Sequence, residues 1–176
     1  MRGVIFSPFL HGGLSHIWSN TIPALFLITG LRVFYRKDAL RVFMLGLLLT
    51  GLFTWSIGRI SYHIGASGII YMLASFLIFK GLFMRRFKLV ALSLVVIFFY
   101  GSMVWYVLPI RDGMSWEGHL SGFVSGLLIA YFIKVKADPN PVYSWQKPQY
   151  NEEDDPFMRH FDESGNFVEI KEEEEE

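Results

Sequence analysis

The chain of 176 residues contains no cysteine, which excludes disulfides, thiolate zinc sites and a cysteine nucleophile. Charge is also scarce: 18% of residues are Asp, Glu, Lys or Arg, against 52% hydrophobic. A soluble domain of this size has no need of so much apolar surface. The opening stretch MRGVIFSPFLHGG has too short an apolar core to read as a secretory signal peptide. The formal net charge is zero, but residues 151–176 are strongly acidic, so the part before the tail is net basic.

Five apolar segments are long enough to be helical spans: roughly 14–33, 40–57, 66–83, 89–107 and 119–133. No acidic residue falls inside any of them. The stretches between them sort by charge. One group of turns carries Arg32, Arg36, Lys37 and Arg41, then Lys80, Arg85, Arg86 and Lys88, then Lys134 and Lys136. The opposite group holds only Arg2, Arg59 and Arg111, the last beside Asp112. The positive-inside rule makes the first group cytoplasmic. Trp55, Trp105, Tyr106 and Trp116 then fall near the outer boundary, where interfacial aromatics belong. The expected architecture is all-α: a polytopic transmembrane bundle over 1–136, in a plasma membrane of bacterial type. Residues 137–176 form a separate segment with Pro139, Pro141, Pro148, Pro156 and the run KEEEEE. It has no face to bury and reads as a disordered acidic tail on the cytoplasmic side. Within it, DESGNFVEI is the one stretch with the makings of a short hairpin or docking motif.

Polar and ionisable groups in spans are costly and are functional candidates by default. The first span opens with HGGLSHIWSN, placing His16 and Asn20 at i,i+4 on one helix face. The third opens at GASG, with Ser67 followed one turn later by Tyr71. The fifth opens with GHLSGFVSG, where His119 is flanked by Gly118, Gly122 and Gly126 at four-residue steps. Such a ladder lets two helix backbones approach closely. Spans one, three and five run in the same direction, so His16, Ser67 and His119 share one end of the bundle. Taken singly, each reads more simply: Ser67 and Tyr71 as packing residues, His119 as an interfacial histidine, the glycines as helix contacts. His11 and His63 fall in loops.

As a set, H-x4-H-x3-N, GASG with Tyr71, and GH-x3-G-x3-G resemble a rhomboid intramembrane serine protease in order, orientation and spacing. The resemblance covers about residues 9–132. It implies Ser67 as nucleophile and His119 as general base, in a dyad with no acidic third member. It implies that Tyr71 packs its ring on His119. His16 and Asn20, with the Ser67 backbone N–H, would stabilise the oxyanion, and His11 would be structural. Gly65 and Gly68 would allow close backbone approach around the nucleophile. The substrates implied are single-span membrane proteins, unwound near the cut and cleaved close to the outer boundary of the bilayer. No cofactor, metal or nucleic acid is implied. Residues 108–118, bearing Trp116, are expected to act as a lid. A catalytically impaired relative that binds membrane helices is the alternative; retention of both Ser67 and His119 argues against it. A metal-dependent protein or transporter using His11, His16, His63 and His119 has no His-Glu-x-x-His pair to support it. The family core has six spans, and counterparts of the last five are present here. Met1 stands ten residues before His11, so the expectation is a longer native protein with one more span upstream, the alternative being a reduced chain without the family's first span.

Overall fold

The computed structural model describes residues 6–61, 63–110, 113–136, 142–162 and 164–169. Arg2, Arg111, Asp112, Pro139, Pro141 and the glutamate run at 172–176 lie outside the described residues. The chain divides into two compact units, Met1–Asp138 and Pro139–Glu176.

Five α-helices are described in the first unit: α1 Leu14–Phe34, α2 Ala39–Ile57, α3 Ser67–Met84, α4 Phe87–Tyr100 and α5 Trp116–Phe132. A 3-10 segment, Gly101–Val107, continues α4. Leu14–Phe34, Ala39–Ile57, Ser67–Met84 and Phe87–Val107 are each long and apolar enough to cross a membrane. The protein is therefore an integral, multi-pass membrane protein. Helix α5 has 17 residues and is less uniformly apolar, carrying Glu117, Ser121 and Ser125.

Helix α3 is the axis of the bundle. Of its most apolar stretch 67% is buried, against 17–22% for α1, α2 and the α4 span. The outer helices turn large apolar side chains outward, among them Trp18, Trp55, Phe87 and Phe98. That inverts the pattern of a water-soluble fold and suits hydrocarbon solvent. Around α3 the packing is close because small residues remove side chains from the contact. A Cβ at Gly122 would collide with the Gly68 carbonyl, and one at Gly126 with the Met72 carbonyl. On the other side of α3, Gly81 lies against Ser93 and the Leu89 carbonyl of α4. The Ser93 hydroxyl lies within hydrogen-bond distance of the carbonyls of Leu77, Ile78 and Leu89. The α3–α4 reversal turns on Arg85 in the left-handed region, φ 50°.

Lys80 is not part of the basic turn to which its sequence neighbours assign it. Helix α3 runs on to Met84, so Lys80 sits inside the helix at 8% exposure. Its Nζ donates to the carbonyls of Ala130 (2.9 Å) and Ile133 (2.7 Å). The last carbonyls of a helix lack intrahelical donors; here a neighbouring helix supplies one, with a positive charge that suits the helix C-terminus. At the same end, Asp38 accepts the Lys136 N–H at 2.8 Å. The α1–α2 turn is thereby joined to the chain leaving α5.

In the second unit the described residues form 3-10 turns at Ser144–Gln146, Glu152–Asp154 and Met158–His160. An antiparallel bridge pairs Phe161, just before DESGNFVEI, with Phe167 inside it. Asp162 Oδ1 accepts the N–H groups of Ser164 and Asn166 inside that turn.

The glycine contacts between α3 and α5 make a direct prediction. Gly122→Leu must drive backbone from backbone, so stability in detergent should fall by at least the roughly 1–3 kcal/mol typical of overpacking, and the thermal midpoint with it. Gly101→Ala is the control. Its φ of −60° suits any residue and the new Cβ meets only Ile97 at 3.4 Å, so the midpoint should hold. Equal midpoints for the two variants would refute the packing assignment.

Candidate active site

Ser67 is the first residue of α3, preceded by a tight turn at Gly65 with φ +105°. Only glycine adopts that conformation without strain. A Cβ there would also lie 2.7 Å from the His16 ring and 3.7 Å from Asn20 Nδ2. The same glycine thus turns the chain into α3 and admits the α1 side chains beside it. As the first helical residue, Ser67 has an N–H with no intrahelical acceptor. No side chain caps this end of α3.

His119 lies in the first turn of α5, 6% exposed. Its Nε2 is 3.0 Å from Ser67 Oγ. Its Nδ1 is 2.9 Å from the Tyr106 carbonyl oxygen. A carbonyl can only accept, so Nδ1 carries the proton of the neutral ring, and the Nε2 lone pair faces the serine hydroxyl. The imidazole stacks on Tyr71, with centroids 4.3 Å apart and planes inclined by 12°. Serine and histidine are therefore within hydrogen-bond reach, with the histidine oriented by a third group.

That third group carries no side-chain signature. The acceptor for Nδ1 is a main-chain carbonyl in the 3-10 segment after α4, where a continuous span to Val107 is the sequence expectation. The same segment engages Tyr71, whose hydroxyl donates to the Met103 carbonyl at 2.7 Å. Tyr71 thus works through its hydroxyl as well as its ring. Asn20 is buried, and its Nδ2 donates to the His16 carbonyl at 2.9 Å; the second hydrogen of that amide remains. His16 meets His11 edge-on, with ring centroids 5.1 Å apart.

Two sequence expectations change here. From the sequence, Glu117 falls in the loop 108–118. Helix α5 instead begins at Trp116, and Glu117 lies in its first turn at 1% exposure, 3.2 Å from Arg59 Nε. Starting α5 at Trp116 also removes residues 116–118 from the expected lid. His63 is likewise more than a loop residue, since its Nδ1 lies 2.6 Å from Ser115 Oγ. Neither contact is local in sequence, so no motif announces them. Beside Ser67 lies a cavity of about 30 Å³ whose lining includes Thr50, Thr54, His63 and Ser115. Among the described residues, no three His, Asp or Glu side chains cluster as metal ligands do.

The family description of a Rhomboid domain matches residues 1–136. The chain belongs to the rhomboid family. Rhomboids are intramembrane proteases that act on membrane proteins within the bilayer. Similar curated proteins come from Mycobacterium tuberculosis and Mycobacterium bovis, each 41% identical over 147 residues, covering 76% of this chain and 59% of theirs. One from Mycobacterium leprae is 37% identical over 147 residues, covering 76% of this chain and 56% of its own. All three are described as uncharacterised proteins. This rhomboid chain thus matches well under two-thirds of the length of these relatives. No solved structure matches it.

The Tyr71 hydroxyl provides the test of this geometry. Tyr71→Phe leaves the Met103 carbonyl without its donor and should cost about 1 kcal/mol of stability. Tyr71→Ala, which also removes the stacked ring, should cost more, in the range of about 3–5 kcal/mol for deleting a buried aromatic. Unfolding of the two variants in detergent measures both; a Tyr71→Phe protein as stable as the parent would show the hydroxyl bond to be idle.

Proposed function

We propose that this rhomboid is a serine endopeptidase that cuts single-span membrane proteins near the outer boundary of the bilayer through Ser67 and His119. The observation that carries this reading is the 3.0 Å approach of His119 Nε2 to Ser67 Oγ with Nδ1 held by a carbonyl. In acylation, Ser67 Oγ attacks the scissile carbonyl carbon while Nε2 takes the hydroxyl proton. The tetrahedral oxyanion is met by the free Ser67 N–H at the positive end of α3. His16 and the second Asn20 amide hydrogen complete that site. Collapse breaks the C–N bond, and His119 returns its proton to the leaving amine. A water then attacks the acyl-serine as His119 takes its proton, releasing the acid and restoring the hydroxyl.

Topology supports placing this chemistry at the outer face. The turns bearing Arg36, Lys37, Arg85, Arg86, Lys134 and Lys136 follow the ends of α1, α3 and α5 remote from Ser67. The positive-inside rule puts those ends, and the acidic tail, on the cytoplasmic side of a plasma membrane, with α5 as the fifth crossing.

Purified protein incubated with a single-span model substrate should release two fragments. Ser67→Ala and His119→Ala should each abolish cleavage, and a fluorophosphonate probe should label the parent but not Ser67→Ala. Persistent proteolysis in Ser67→Ala would falsify the assignment. His16→Ala and Asn20→Ala should lower kcat about 10²–10³-fold with little change in KM, as expected for donors that strengthen in the transition state. A silent Asn20→Ala would reduce Asn20 to a brace within α1.

A further inference from the structure

We infer that Arg59 and His63, in the α2–α3 loop, are positioning residues for His119, acting through the first turn of α5; this rests on the protease reading above. Two branches join the loop to that turn. In one, Arg59 places Nε 3.2 Å from Glu117 Oε1 and donates from Nη2 to the Met114 carbonyl at 2.9 Å. In the other, His63 has Nε2 2.9 Å from the Arg59 carbonyl and Nδ1 2.6 Å from Ser115 Oγ.

The hydrogen directions in the second branch are determined. The Arg59 carbonyl can only accept, so His63 Nε2 carries the proton of the neutral ring. Nδ1 then accepts from the Ser115 hydroxyl. That leaves a Ser115 lone pair for the Gly118 N–H at 3.2 Å, which is the N-cap bond of α5. The chain of bonds therefore runs from Gly118 through Ser115 and His63 to the Arg59 main chain. Gly118 immediately precedes His119, and the His119 N–H bonds to the Ser115 carbonyl at 3.2 Å. A rotation of the α5 first turn would move the His119 ring relative to Ser67, which stands on a different helix.

The first branch fixes the same turn by charge. Glu117 is a buried carboxylate with one guanidinium partner, and its Oε2 has no hydrogen-bond partner. A lone carboxylate at that depth is strongly unfavourable, so Glu117 stays at Arg59 and the turn stays at the loop. The alignment of the base thus depends on a segment that contributes nothing to the dyad itself.

The test is the rate at which a fluorophosphonate labels Ser67 in the detergent-solubilised protein, with labelling amplitude counting competent sites. His63→Phe, Ser115→Ala and Glu117→Gln should each slow labelling by about tenfold or more per competent site. They should lower kcat in parallel on a single-span substrate, with KM within about twofold. Ser115→Thr, which keeps the hydroxyl, should restore the rate. A purely structural role would lower amplitude and melting temperature while leaving the rate per site unchanged, and that result overturns the inference. Parental rates in all three variants overturn it equally. Absence of labelling in the parent protein is a different failure, which removes the protease reading itself.

Discussion

The contact on which the rest of the site depends is backbone against backbone, where α3 meets α5 at Gly68, Gly122 and Gly126. A serine hydroxyl reaches little more than one bond length beyond its Cβ. A histidine on a second helix can approach it only if the two axes lie unusually close. Any side chain at Gly122 would occupy the space of the Gly68 carbonyl. Small residues at membrane helix contacts are often explained by packing alone. Here packing and the approach of His119 to Ser67 are one requirement, because the contact residue Gly68 directly follows Ser67.

Much of this was legible in the sequence. Polar groups at the heads of the first, third and fifth apolar runs, with an even number of crossings from each to the next, could only share one end of a bundle. The glycine spacing on α5 announced a close helix neighbour. The Rhomboid match over residues 1–136 agrees with the resemblance read from those motifs. What was not legible follows a common physical rule. The Tyr106 and Met103 carbonyls have no side-chain identity, so no residue type marks them as acceptors. Glu117 has no partner near it in sequence to mark it as buried, because Arg59 answers its charge from another loop. Lys80 reads from its neighbours as part of a basic turn, yet its partners are carbonyls at the end of another helix.

These two buried charges show how the bundle handles ionisable groups. Lys80 is used where helix α5 ends and Glu117 where it begins. Lys80 faces the last carbonyls of α5 at the negative end of the helix dipole, and Glu117 sits at the positive end, so each charge has the favourable sign. Their contacts hold α5 at one end to α3 and at the other to the α2–α3 loop. A helix of 17 residues with three glycines in it has modest intrinsic stability. Anchoring both ends compensates for that.

The same economy explains the choice of a carbonyl to orient the His119 ring. An aspartate beneath His119 would be a desolvated charge needing its own partners, at a depth where such charges are costly. The Tyr106 carbonyl fixes the same tautomer with no net charge to bury. What it would lack, in the proposed reaction, is full compensation for an imidazolium formed when Ser67 gives up its proton. In the proposed reaction the Tyr71 ring supplies part of that, because its π face lies parallel to the imidazole at 4.3 Å. A cation against an aromatic face is worth roughly 0.5–2 kcal/mol, more when desolvated. The hydroxyl bond from Tyr71 to Met103 keeps that face in place, and Met103 and Tyr106 belong to one 3-10 segment. One short stretch of main chain therefore governs both the tautomer of His119 and the aromatic face against which, in the proposed reaction, it would become charged.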